Sequence, residues 1–156
     1  MALSSDLITT ARQLAHVHQR RPRQADLRRS ISTSYYALFH GLAELAAARL
    51  VGANNAGQKS IARARVYRHL NHLSAKKACS RAELQDCSQG LARFLVAFPR
   101  LQELRHQADY DPLARFKHGD ASSAADDAER ALAGLQAAPR DEQLDFITLA
   151  LGMTRS

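Results

Sequence analysis

The sequence predicts an all-α domain, an up-and-down bundle of four main helices followed by one or two C-terminal ones. Three observations carry this. Only four prolines and seven glycines interrupt 156 residues, and alanine and leucine, strong helix formers, are abundant. Apolar residues recur every three or four positions over long stretches. β-branched runs, the mark of strands, are nearly absent. Hydrophobic residues form 46% of the chain, enough for one core, and the length suits a single domain over residues 1–156.

Each element has its own signal. A first helix is expected from about Asp6 to Arg20, capped by Ser4 or Ser5, with Leu7, Ala11, Leu14 and His18 on one face. Pro22 breaks the chain. A long second helix follows, about Gln24 to Val51, closed by Gly52. Its stripe is Leu27, Ile31, Tyr35, Leu38, Leu42 and Leu45. Tyr36, Phe39 and Ala43 widen it, as in a central helix touched on two sides. Asn54-Asn55-Ala56-Gly57 reads as a turn. A third helix, about Gln58 to Ala78, turns Ala62, Val66, His69, Leu70 and Leu73 inward.

Ser80-Arg81-Ala82-Glu83 reads as a capping box that starts the fourth helix. Its stripe is the cleanest in the chain: Leu84, Cys87, Leu91, Phe94, Phe98, Leu101, Arg105, Ala108. Pro99 lies inside, so a kink or a new helix is expected there. Asp111-Pro112 ends the helix, and residues 111–121 read as a polar loop. A fifth helix is expected over Ser123 to Ala137. A sixth, from Glu142 to Leu151, places Leu144, Ile147 and Leu151 on one side.

The net charge of +7 is uneven. Residues 1–99 carry 15 Lys and Arg against 5 Asp and Glu, whereas residues 100–156 carry 7 against 10. A basic two-thirds suits a polyanion such as RNA; a solvated arginine-rich surface is the ordinary alternative. Two cysteines, Cys79 and Cys87, make no disulfide framework. No apolar run approaches the roughly 20 residues that span a bilayer. The first residues read as an amphipathic helix with an early Asp6, not a signal peptide. A reduced, cytoplasmic protein without membrane contact is expected.

Two stretches carry chemistry. Residues 29–40 place Tyr35, Tyr36, Phe39 and His40 on one helix, and residues 100–112 gather Arg, His, Asp and Tyr near a helix end. Metal-independent RNA cleavage needs proton transfer and stabilisation of charge on a phosphate. Histidine suits the first, with an unperturbed pKa near ~6.5. Arginine suits the second, with a permanently charged planar fork. Arg100 and His106 lie ~120° apart around a regular helix and would flank a groove. His106 and Tyr110 share a face, and Asp109 is placed to hold the imidazole in one tautomer.

The run Leu104-Arg105-x-x-Ala108-Asp109-Tyr110-Asp111-Pro112 and the helix from Ser32 and Ser34 through Tyr35-Tyr36-Ala37 to Phe39-His40 resemble small bacterial proteins of the HEPN family. The likeness covers about residues 24–115, with Tyr67 and His69 on the third helix. The family's nucleases carry an Arg, four to six intervening residues, then a His, and Arg100 and His106, with five between them, fit the middle of that window. The resemblance implies a helical bundle, a homodimer with a composite cleft, and a metal-independent endoribonuclease of a toxin–antitoxin or defence system. Its alternative is a non-catalytic bundle that binds nucleotide or a nucleotidyltransferase antitoxin. Arg100, His106 and Asp109 would be catalytic; Arg105, Tyr110, Arg63, Arg65 and Arg68 would bind RNA or nucleotide. No cofactor or metal is implied. The chain departs from the family at position 108, where Ala stands in place of a modifiable tyrosine, and in having Arg105 directly before the His.

Plainer readings stand beside these. Arg105 falls on the apolar stripe, where an arginine pairs with Asp109 or a serine of the second helix for structural reasons. Tyr35, Tyr36 and Phe39 fall on a core stripe. His69 and His72 share a helix face, but no carboxylate or cysteine completes a zinc set. His16, His18 and His118 carry no motif. The basic groups at Arg20–Arg29 and at Arg63–Lys77 are solvated faces or phosphate contacts. No P-loop, dinucleotide fingerprint, nucleophile elbow or His-Glu-x-x-His is present.

Overall fold

The computed structural model describes residues 2–18, 20–52 and 57–154. They form seven α-helices and, among the described residues, no strand: α1 Leu3–His16, α2 Gln24–Leu50, α3 Gln58–His69, α4 His72–Ala78, α5 Gln89–Tyr110, α6 His118–Ala137 and α7 Arg140–Ala150. The all-α bundle expected from periodicity is the fold. Helix α2 is its axis: α1, α3, α5 and α6 all pack on it, α5 lies against α6, and α4 lies against α7. No helix among the described residues is long and apolar enough to cross a membrane.

Helix α2 occupies the span that its stripe predicts. Leu27, Ile31, Tyr35, Leu38 and Leu42 are buried, and Leu45 is half-buried. Ser30, Ser34, Ala37 and Gly41 are buried as well, so the helix is covered on more than one side. Gly52 takes φ 125° just past its end, where its N–H bonds Ala47 O at 3.3 Å; that backbone favours glycine. The Asn54–Ala56 part of the expected turn lies outside the described residues.

Helix α1 begins earlier than expected and is rotated. Ser4 lies within its first turn, buried, and is not the cap. The Glu44 carboxylate of α2 does that work instead, accepting from Ser4 N at 3.2 Å and Ser4 Oγ at 2.9 Å, an anion at a helix N-terminus. The buried face is Ser4, Ile8, Ala11 and Ala15; Leu7 and Leu14 are half-buried and His18 is exposed. Small residues set this rotation. They bring the backbones together, and Ser30 Oγ donates to Ala11 O at 2.7 Å.

Three further expectations are corrected. The single third helix is two helices, because Asn71 adopts extended backbone and its side chain accepts from Ser74 N at 2.8 Å. An asparagine cap competes with helix continuation. Ser80–Glu83 does not start α5. Glu83 pairs with Arg81 at 2.7 Å, Ala82–Leu84 make a short 3₁₀ turn, and α5 begins at Gln89 after Ser88 N donates to Glu142 Oε1 at 2.8 Å. At Pro99 no new helix begins; α5 runs through it to Tyr110.

Helix α6 starts at His118, ahead of the expected Ser123, because Asp120 accepts from Lys117 N at 2.7 Å. In α7, Phe146 and Ile147 are buried, and so is Gln143, whose amide donates to Leu135 O at 2.8 Å and so closes the end of α6.

Candidate functional site

Leu101 and Ala108 of α5 are buried against the bundle. Arg105 lies between them, four residues after one and three before the other, so the same stripe carries its guanidinium into the seam between α2 and α5. Its side chain is 12% exposed. The guanidinium carbon stands 5.3 Å from the Tyr35 ring centre, 5.7 Å from Tyr36 and 6.0 Å from Tyr110. Its ionic contact with Asp109 Oδ2 is long, 3.5 Å, and Ser32 Oγ donates to that same oxygen at 3.3 Å. Nε of Arg105 is buried without a hydrogen-bond partner among the described residues. A guanidinium has five N–H donors. Here aromatic faces offset part of the burial cost, while Nε is left without an acceptor among the described residues.

Two histidines stand behind this cation. The break at Asn71 turns His72 toward α2 and separates it from His69, whose Nε2 lies 3.1 Å from Leu151 O. The His72 ring stacks on Phe39 at 4.1 Å and 21°, and its Nδ1 is 2.6 Å from Tyr35 Oη. Burial, with Arg105 and His40 adding to it, lowers the His72 pKa, so the ring is neutral at pH 7. Burial raises the Tyr35 pKa, opposed by Arg105, so the phenol stays protonated beside Nδ1. His40 Nδ1 bonds Tyr67 Oη. Burial lowers the His40 pKa, against Glu44, and pushes Tyr67 up to about 12.

The end of α5 is held from α2. Arg28 donates through Nη1 to Ala108 O and Asp111 O, both at 2.9 Å, and through Nη2 to Ala114 O. Gln24 adds two bonds to the Phe116 backbone, at 2.7 and 3.0 Å. Ala108 O belongs to the last helical turn, whose carbonyls have no partner within the helix, and a cation there also opposes the negative end of the helix dipole. Arg28 thereby fixes the backbone on either side of Tyr110.

The residues singled out by sequence fall in several places. Arg105, Asp109 and Tyr110 come together with Tyr35 and Tyr36. His106 is exposed, its ring 5.0 Å from Tyr110. Asp109 engages Arg105 and Ser32, and no hydrogen bond links it to His106 among the described residues. Arg100 is directed to α6, where it pairs with Asp127 at 2.5 Å and lines a groove with Arg93, Val96 and Arg130. No contact joins Arg100 to His106 among the described residues. Arg63 donates to Gly52 O, and with Arg68, Glu44 and Tyr67 it lines a groove of about 350 Å³ between α2 and α3. Arg65 is exposed. No contact links these three arginines to Arg105 among the described residues.

Sequence reasoning missed Arg28 and His72. The cue for His72 was the Asn-His-x-Ser order at 71–74, a helix start. No local pattern marks Arg28, because its partners lie 80 to 86 residues away. Among the described residues, no three His, Cys, Asp or Glu gather in a group that could hold a metal ion. Comparison with models of known families, with curated proteins and with solved structures returns no match for this chain.

Proposed function

We propose that this chain is a HEPN-type RNA-binding bundle and that Arg105 anchors a backbone phosphate. One observation carries the reading: the guanidinium sits among three tyrosine rings with a long contact to Asp109 and with Nε buried and, among the described residues, unpaired. A buried donor without an acceptor is costly, and a phosphate offers several acceptors in the geometry an arginine fork matches. The excess of ten positive charges over residues 1–99 extends beyond what one free nucleotide would cover, which favours a polyanion. Binding is preferred over cleavage by Arg100 and His106, since Arg100 is already paired with Asp127.

The test is fluorescence anisotropy with a labelled RNA, comparing wild type with Arg105→Gln and Arg105→Lys, each checked by a thermal melt. Loss of affinity in both folded variants is expected, because lysine offers no fork and no planar face to the rings. Unchanged affinity in a folded Arg105→Gln variant would refute the anchor. A second reading keeps cleavage, on the observation that His106 is exposed and neighbours Arg105 and Tyr110. It predicts metal-free RNA cleavage that vanishes in His106→Ala.

A further inference from the structure

Tyr110 is the last residue of α5 and is 66% exposed. A large exposed ring at a helix end is ordinarily a mobile surface side chain. This one is constrained from both directions. Its ring is 5.0 Å from the His106 ring and 6.0 Å from the Arg105 guanidinium. Its backbone is pinned on both sides, since Arg28 bonds the carbonyls of Ala108 and Asp111. The result is an open aromatic surface held next to the Arg105 guanidinium.

We infer that the site takes a single-stranded polynucleotide, with one base stacked on Tyr110 and its phosphate on Arg105. This rests on the reading of Arg105 as a phosphate anchor. The geometry sorts strandedness because a duplex offers only its phosphates: its bases already stack on one another and face inward. A single strand can splay a base onto a ring while its adjacent phosphate meets the cation. Tyr110 shows no set of fixed donors and acceptors that would read a base edge, and every base has a π face, so the platform is tolerant of sequence. His106 widens the platform at its edge. Its own ring is exposed and tilted 55° to that of Tyr110, so it flanks the stacked base and does not lie beneath it.

The experiment uses the full chain, a short single-stranded RNA and the same RNA annealed to its complement. The chain contains no tryptophan, so Tyr110→Trp places a lone reporter on the platform. Single-stranded RNA should quench that fluorescence, and the duplex should leave it unchanged. In anisotropy, wild type and Tyr110→Trp should prefer the single strand. Tyr110→Leu should lose affinity for it by roughly 5- to 100-fold, the range of one base–aromatic stack, with duplex affinity unaltered. Equal binding of both RNAs, or a Tyr110→Leu variant that binds as wild type does, would overturn the stacking inference. If Arg105→Lys still weakens both RNAs in that case, the phosphate anchor stands and the platform alone fails. If wild type binds neither RNA, anchor and platform fall together.

Discussion

Replacing Arg28 with alanine removes a cation that joins α2 to the end of α5 and the loop after it. Three hydrogen bonds go with it, to the carbonyls of Ala108, Asp111 and Ala114. Bonds from a charged donor contribute about 1.5–3 kcal/mol each when their loss strands a buried partner. Asp111 is exposed, so water can replace that bond at small cost. Ala108 is buried, and its carbonyl is an end-of-helix acceptor. The favourable charge at the C-terminal end of α5 adds about 0.3–1 kcal/mol, and the contact of Arg28 with the Phe116 ring at 5.6 Å adds a little more. Allowing for partial exposure, Arg28→Ala should destabilise the fold by about 2–3 kcal/mol. For a domain of this length that lowers the melting temperature by roughly 4–10 °C. Arg28→Lys should recover less than half, because one ammonium cannot reach carbonyls on two sides. Urea unfolding followed by circular dichroism measures both. A loss below about 0.5 kcal/mol in Arg28→Ala would show that water serves these carbonyls equally well and that Arg28 does not hold Tyr110 in place.

The Gly134→Ala exchange should destabilise the bundle by about 1–3 kcal/mol despite alanine's better helix propensity, because its Cβ would stand 2.5 Å from Gly90 O and 3.0 Å from Gly90 Cα where α5 crosses α6; a gain in urea midpoint would contradict the packing argument. The lowered pKa of His72 and of His40 makes stability pH-dependent with a definite sign: the unfolded chain takes up protons near ~6.5 and the folded chain only lower, so stability is complete above pH ~6.5 and falls as pH drops below it. His72→Gln should shrink the difference in urea midpoint between pH 7.5 and 5.5, and an undiminished difference would place the effect elsewhere. Arg100→Ala should cost at most about 1 kcal/mol, since its pairing with Asp127 is on the surface, and should lower RNA affinity no more than loss of any single surface cation; a collapse of binding or cleavage in this variant would return the site to Arg100 and His106.

What the sequence determined by itself was whatever rests on one helix at a time. The α2 stripe, the α5 stripe, the stop at Asp111 and the all-α class follow from 3.6-residue periodicity and from breakers, and these act within a few residues. The position of Arg105 on the buried stripe was legible for the same reason, as was its partner Asp109; the serine of α2, Ser32, bonds Asp109 and not the arginine. Tertiary structure decided the rest. Helix α1 turned so that Ala11 and Ala15 could touch α2, a choice made by shape complementarity and invisible in a pattern that ranks leucine above alanine. Ser4 lost the cap to Glu44, forty residues away. Asn71 broke a helix whose apolar spacing continued past it, because a side-chain bond to Ser74 N outweighed the periodicity. That break brought His72 onto Phe39 and Tyr35 beside Arg105. Arg28 found its carbonyls only after α5 had docked, since hydrogen bonds over such separations depend on where the backbone goes and leave no local pattern to read.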